Sequence, residues 1–376
     1  MYHYVGCDLH KLSTWFYVTD AVGKRLISKS ISNNPDELHN FFEQIPKPFT
    51  LAVETTYNWY FFVDIAEQYA KTVYLANSFE LKAFAKRNKK TDKIDARLIA
   101  DVLRKGYLPS VFIPDRETRM TRELLRYRMN IVNDVSRNIF RLKGLLDKLG
   151  EDSSGNYTTY KGLKEVPLEN LPEDYRNVAA GYIERISFLL KKEYASDKLI
   201  EKNVTEDEDI HNLMSIPGLA YFSAALIKSE IACISRFASL PRLYSYAGLT
   251  PRVHQSGDKC IHGPLSKNRR KYLRWILLEV VYHYVKADPK RKQMFDFLKK
   301  RKGHNTAKVI MARELLKVIY HILKEKRPYY IKKPKSGLRQ PARSKGSEVP
   351  PIHEVASADL ISGGLPSDII IQALKQ

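Results

Sequence analysis

The sequence predicts an α/β domain at the N-terminus followed by a mostly helical remainder, α/β + α in class. Three observations lead to this. Short β-branched and aromatic runs alternate with turn residues and helical patterns through the first 110 residues. A 3–4 apolar spacing with one polar break then runs from about 115 to 150. Further helical patterns occupy most of 172–325.

In chain order, Tyr4–Asp8, Thr14–Thr19 and Arg25–Ile31 read as strands, with turn residues at His10–Ser13 and Asp20–Gly23. A helix is expected from Pro35 to Gln44. Phe49–Glu54 is a short apolar run ending in an acid, the pattern of a buried central strand. A helix at Trp59–Tyr69, a strand at Thr72–Ala76, a short helix near Phe79–Lys86 and a helix from Asp92 to Lys105 follow. Three meandering strands and then alternating helices and strands is the order of an RNase H-like fold.

The 115–150 helix carries Leu125, Arg128, Val132, Val135, Ile139, Leu142, Leu146 and Leu149 on one face, a coiled-coil seam with a polar break at Arg128. It reads either as one arm of an intramolecular hairpin, returning over 172–202, or as a surface for self-association. In the next unit, Ser-Ile-Pro-Gly-Leu (215–219) between helical patterns resembles a helix-hairpin-helix turn, whose backbone N–H groups can face a phosphate. The expected domains are 1–112, an acid-bearing α/β domain; 113–208, a helical coiled-coil linker; 209–328, a helical C-terminal domain; and 329–376, a Pro-, Ser-, Gly- and Lys-rich disordered tail.

The 376 residues carry 63 Lys+Arg against 42 Asp+Glu, a formal charge of +21 that favours polyanionic partners. No apolar run reaches the roughly 18 residues of a membrane span. The opening Met-Tyr-His-Tyr-Val-Gly-Cys-Asp has no basic leader or apolar signal core, which predicts a cytosolic protein. Cys7, Cys233 and Cys260 are scattered, without the spacing of a zinc site or a disulfide framework.

Two constellations carry chemistry. Asp8 and Glu54 end apolar strands, and Asp92 and Asp95 open a helix with Lys89, Lys90, Lys93 and Arg97 around them. At i and i+3 the two aspartates share a helix face. Four such acids suit a hard divalent cation held against a phosphate; the helix-start pair also suits the positive end of the helix dipole. Further on, Gly248 to Lys259 reads as a polar loop after an apolar helix. Ser256, with Arg252, His254 and Lys259 close by, is either a turn residue or an activated nucleophile. Ser266 then reads as an N-cap. Behind it Lys267, Arg269, Arg270, Lys271 and Arg274 place five basic residues in nine at a helix start aimed at phosphates.

Gly6-Cys7-Asp8, Ala52-Val-Glu54-Thr-Thr and Lys90-Thr-Asp92-Lys-Ile-Asp95-Ala resemble the acidic motifs of the Insertion Sequence 110 family of transposases, which includes the pilin-gene DNA invertases. In the same order, Ile216-Pro-Gly-Leu, Ser229-Glu-Ile, Arg236-Phe, Tyr246-Ala-Gly-Leu-Thr-Pro-Arg252, Gln255-Ser256-Gly257, Leu265-Ser-Lys267 and Tyr272-Leu-Arg274 resemble its C-terminal transposase domain. The resemblance implies a RuvC-like domain with Asp8, Glu54, Asp92 and Asp95 as a DEDD tetrad holding Mg²⁺ or Mn²⁺. It implies Ser256 as a nucleophile that forms a covalent serine–DNA intermediate. It further implies an element-encoded structured RNA pairing with donor and target DNA, and dimers joining into a tetrameric synapse, in a bacterial or archaeal cytoplasm at the nucleoid. Acidic and serine halves of one active site can come from different subunits in that family. A DNA invertase, a junction-resolving nuclease using water, and a non-catalytic nucleic-acid scaffold are the alternatives.

Overall fold

The computed structural model describes residues 2–84, 91–256, 259–266 and 269–330, and the chain divides into two compact units that meet at Asp115/Arg116. The expected 331–376 part of the tail lies outside the described residues, as do Lys90, Gly257 and Lys267.

The first unit is built on a six-stranded sheet. Its elements are β1 (His3–Leu9), β2 (Ser13–Thr19), β3 (Arg25–Ser32), α1 (Pro35–Gln44), β4 (Phe49–Glu54), α2 (Trp59–Ala66), β5 (Thr72–Ala76), α3 (Ser78–Leu81), α4 (Asp92–Arg104) and β6 (Ser110–Val111). The sheet order is β3-β2-β1-β4-β5-β6. β1 to β3 form the expected meander; β4 and β5 run parallel to β1, and β6 closes the edge antiparallel.

The two faces of the sheet differ in a way that the period of two dictates. Val5, Cys7 and Leu9 of β1, Phe16 and Val18 of β2 and Leu51 and Val53 of β4 pack into one core with Phe41, Phe42 and Phe62 from α1 and α2. Phe16 lies 4.4 Å from Phe41 and 5.9 Å from Phe62, centroid to centroid. The alternate residues face α4: Tyr17 contacts Ala96 and Ala100, while Ala52 and Ala76 pack with Ile99 and Leu103. Gly6 belongs to this second face, and so by alternation do Asp8 and Glu54.

The second unit begins with α5 (Arg116–Lys148), continues through α6 (Tyr160–Lys164) and returns along α7 (Glu173–Val204). The seam is filled within the chain. Ile131, Val135, Ile139, Leu142 and Leu146 pack with Ala179 and Ile186 of α7, so the long helix is one arm of a hairpin. The seam runs through Ile131, with Val132 only half-buried. The polar break has a partner: Arg128 donates from Nε to Asp197 at 2.9 Å and from a terminal nitrogen to Glu193 at 2.8 Å. Its guanidinium also lies 4.8 Å from the Phe222 ring. That bidentate, half-buried geometry fixes the register of α5 against α7, a role better attested for such pairs than net stability.

Beyond the hairpin come α8 (Glu208–Met214), α9 (Tyr221–Ile231), α10 (Leu240–Tyr246), β7 (Pro251–Ser256), β8 (Lys259–Leu265), α11 (Lys271–Lys286), α12 (Pro289–Lys302) and α13 (His304–Glu325). Leu125 of α5 joins α8 to α13 in one apolar core. The 215–219 turn does connect two helices, with Gly218 at φ +91° against His283. A Cβ there would sit 2.3 Å from the His283 Cβ, so only glycine fits. No helix among the described residues is long and apolar enough to cross a membrane.

Candidate active site

Asp8 is the penultimate residue of β1 and Glu54 the last of β4. The strands are parallel neighbours with Cys7 opposite Val53, so the two acids occupy the next register position at the carboxyl ends, the usual ligand edge of such a sheet. Asp92 and Asp95 lie in the first turn of α4, which Thr91 caps by accepting from the Ile94 N–H.

α4 reaches this edge because of a missing side chain. A Cβ built on Gly6 would lie 2.1 Å from the Ala96 carbonyl oxygen and 2.4 Å from the Ala100 nitrogen. Helix backbone therefore rests directly on strand backbone, with Ala96 and Ala100 fully buried at the contact. From Gly6 to Asp8 the strand advances about 6.6 Å, and from Ala96 back to Asp92 the helix advances about 6 Å. The same contact that seats the helix thus carries its first turn to Asp8.

The electrostatics show the convergence. Burial pushes the Asp8 carboxyl up to about 6; the charges of Glu54, Asp92 and Asp95 push the same way, and His10 opposes them. Burial likewise pushes the Cys7 thiol well up, with Asp8 adding to it; Cys7 is a core residue, as expected of a small buried hydrophobe. His10, which reads in the sequence as a turn residue, lies in this cluster. Its Nε2 is 3.3 Å from Asp8 Oδ2 and 3.3 Å from Asp92 Oδ1. Among the described residues, Asp8, His10 and Asp92 offer donor atoms that all lie within 4.8 Å of one another. Hard carboxylate oxygens crowded at the cost of a raised pKa are a fitting donor set for a divalent cation.

A pH dependence follows. Asp8 holds its proton more tightly folded, at about 6, than at the ordinary 3.8, so the folded state binds more protons between those values. Stability from this group is therefore full below pH 4 and lost as pH rises through 6, by about 3 kcal/mol. In urea denaturation with chelator present, Asp8→Asn should exceed the wild type in stability at pH 7, with the gap closing by pH 4. Added divalent cation should raise the wild type at pH 7 and leave Asp8→Asn unmoved.

The second constellation differs from its sequence reading. The stretch expected as a polar loop is a β-hairpin, with Ser256 ending β7 opposite Lys259. Arg252 and Lys259 are exposed on it. Ser266 is not an N-cap: its N–H bonds the Thr250 carbonyl at 3.2 Å, closing the base of the hairpin. The Arg270 N–H bonds the Tyr246 carbonyl in turn, so α11 starts only at Lys271 with Arg270 in the cap position. The basic residues behind the hairpin are not equivalent. Lys271 is exposed and Arg269 half-buried against Gly248. Burial, with Arg269 nearby, lowers the pKa of Arg274.

Arg270 is tied inward, donating from Nε to the Tyr246 hydroxyl at 2.6 Å and lying 3.4 Å from Glu230 Oε2. Glu230 of α9 is 1% exposed. Its other oxygen accepts from Arg126 at 3.2 Å, and its carbonyl accepts from Arg122 and from the Tyr246 hydroxyl. Sequence reasoning has Glu230 only inside the Ser229-Glu-Ile motif and assigns it no role. Its signal was a lone glutamate closing the apolar run of α9, with Arg122 and Arg126 one turn apart on α5.

Residues 5–150 match the IS110-type DEDD transposase family, and residues 210–296 match the transposase family IS116/IS110/IS902. The chain is 25% identical over 264 residues to the transposase for insertion sequence element IS1111A of Coxiella burnetii, covering 66% of this chain and 70% of that one. It is 23% identical over 282 residues to the transposase for IS1328 of Yersinia enterocolitica, covering 75% and 83%. An uncharacterized 44.8 kDa protein of insertion element IS116 from Streptomyces clavuligerus is 25% identical over a match covering 86% of this chain and 95% of that one. Together the two matches span the four acids and Ser256, and the chain belongs to the IS110 family of transposases, enzymes that cut and rejoin DNA.

Proposed function

We propose that this transposase mobilises its own insertion sequence through a covalent phosphoserine intermediate, with an element-encoded RNA pairing to donor and target DNA. The gathering of Asp8, Glu54 and Asp92 at one edge of the sheet supports the metal-dependent part of this reading, and the resemblance of the Ser256 motif supports the rest. Asp8, Glu54, Asp92 and Asp95 would hold Mg²⁺, or Mn²⁺ in its place; when bound, the ion polarises the scissile phosphate and neutralises charge that develops on it. The Ser256 hydroxyl gives its proton to water as its oxygen bonds to phosphorus, and the P–O3′ bond breaks to leave a protonated 3′-hydroxyl. The exchanged 3′-hydroxyl later attacks the phosphoserine, and Ser256 recovers a proton as its bond to phosphorus breaks. Bond count and phosphate charge are conserved, so no outside energy source is needed.

Arg252, Lys259 and Lys267 would offset the transition-state charge. Arg269, Lys271 and Arg274 would contact phosphates, with Arg270 setting the start of their helix. The 215–219 turn would offer N–H groups to a further phosphate. α12 suits backbone binding: Lys292, Lys299, Lys300, Arg301 and Lys302 are exposed and Phe295 is its one buried residue. Sequence choice would rest with RNA pairing, as in other guided systems. Self-association into a dimer and a tetrameric synapse would use exposed aromatic residues of the hairpin, such as Tyr127, Phe140, Phe188 and Tyr194, because α7 occupies the seam.

The test is trapping. Incubated with a nicked element-end substrate and guide RNA, then denatured, the protein should carry DNA on a peptide containing Ser256. Ser256→Ala should lose the adduct and all strand cleavage, and Asp92→Asn should lower both by roughly 1,000-fold or more. Cleavage that persists in Ser256→Ala without an adduct would make water the nucleophile and overturn the serine mechanism.

A further inference from the structure

We propose that His10 is a direct ligand of the ion held by the acidic tetrad, making the centre one of mixed nitrogen and oxygen donors that prefers Mn²⁺ to Mg²⁺. This rests on the tetrad reading above.

The main chain of His10 is fixed from two sides. Its carbonyl accepts from Asn33 Nδ2 at 2.8 Å and from Asn58 Nδ2 at 2.9 Å, and its N–H bonds the Ser13 carbonyl at 3.0 Å. Asn33 follows β3, and Asn58 lies in the segment after Glu54; Thr14 and Thr56 orient the two amides through 2.6 and 2.9 Å bonds. The turn that carries His10 is thereby tied to the segment that follows Glu54. Its imidazole meets two further members of the tetrad.

The contact geometry favours ligation over hydrogen bonding. One nitrogen, Nε2, faces both Asp8 Oδ2 and Asp92 Oδ1 at 3.3 Å. A single N–H cannot serve two carboxylates well, and neither distance falls in the range of about 2.7–2.9 Å for a charge-assisted bond. Donor atoms about 2.1–2.4 Å from one ion and at right angles to each other lie about 3.0–3.4 Å apart. The two 3.3 Å spacings match the edges of an octahedral ligand set. Half of the imidazole is exposed, which leaves room for an ion and its waters. Replacing an oxygen donor by imidazole moves preference from Mg²⁺ toward later divalent ions.

The experiment uses the full-length protein, Mn²⁺ as probe and pulsed electron paramagnetic resonance as readout. The wild type should show nitrogen hyperfine coupling on bound Mn²⁺. His10→Gln should fold normally, keep one Mn²⁺ through its carboxylates, lose the coupling and bind Mn²⁺ roughly 10-fold more weakly, with a smaller change for Mg²⁺. Bound Mn²⁺ without nitrogen coupling in the wild type, or equal or tighter binding in His10→Gln, overturns the ligand role and leaves the tetrad standing. A wild type that takes up no Mn²⁺, or an Asp8→Asn variant that binds it as the wild type does, overturns the tetrad reading as well.

Discussion

Gly6→Ala is expected to cost strand cleavage about 100-fold while leaving all four acids in the chain. The added methyl would stand 2.1 Å from the Ala96 carbonyl oxygen and 2.4 Å from the Ala100 nitrogen. Both are backbone atoms, so no rotamer change relieves the clash, and α4 must lift from β1 by about 1 Å. Overpacking of this kind typically costs about 1–3 kcal/mol. The functional loss should be larger than the stability loss, because the helix that moves carries Asp92 and Asp95 while Asp8 and Glu54 stay with the sheet. A displacement near 1 Å at a reacting centre is worth about two orders of magnitude. Thermal denaturation and Mn²⁺ titration separate the two effects: a folded Gly6→Ala protein should bind Mn²⁺ markedly more weakly than the wild type. Wild-type cleavage together with a wild-type melting temperature would show that the strand–helix contact does not set the site.

Glu230→Ala is expected to be the most destabilising substitution in the second unit, at about 3–5 kcal/mol. The carboxylate is 1% exposed between Arg126 and Arg270, and burial already pulls the neighbouring Arg122 below the usual guanidinium range. Removing the acid leaves the guanidiniums facing one another without their counter-charge. Breaking such a set from one side costs far more than the intact set contributes. Glu230→Gln keeps an acceptor and the volume, so its loss should be smaller. Urea denaturation of the three proteins gives the ranking, and a wild-type midpoint for Glu230→Ala would mean that water replaces the carboxylate.

The two acid-bearing strands could be read from the sequence because burial on both faces leaves short runs rich in apolar residues that close on an acid, Tyr4 to Asp8 and Phe49 to Glu54. The meander was legible from the turn residues between its strands, and the seam of α5 because burial of one helix face leaves a 3–4 apolar spacing. Gly6 was visible only as part of a motif, since the residues that require it, Ala96 and Ala100, lie some 90 positions later. The β7–β8 hairpin was not legible because its strands are largely exposed, so no alternation marks them. Ser266 has the residue type of a helix cap, yet tertiary bonds to Thr250 and between Arg270 and Tyr246 set the helix start instead. His10 gave no sign of its place, because a short polar turn looks the same whether it faces solvent or a cluster of acids.

α5 passes as one continuous helix through two separate cores, Leu125 in one and Ile131 to Leu146 in the other. Its 33 residues make a rod of about 50 Å. A rod clamped at one end transmits tilt as a lever does. Whatever grips the far end of the hairpin therefore loads Arg122 and Arg126 at the near end, and through them Glu230 and the helix start at Arg270. In mechanical terms, the hairpin and the start of α11 share one shaft.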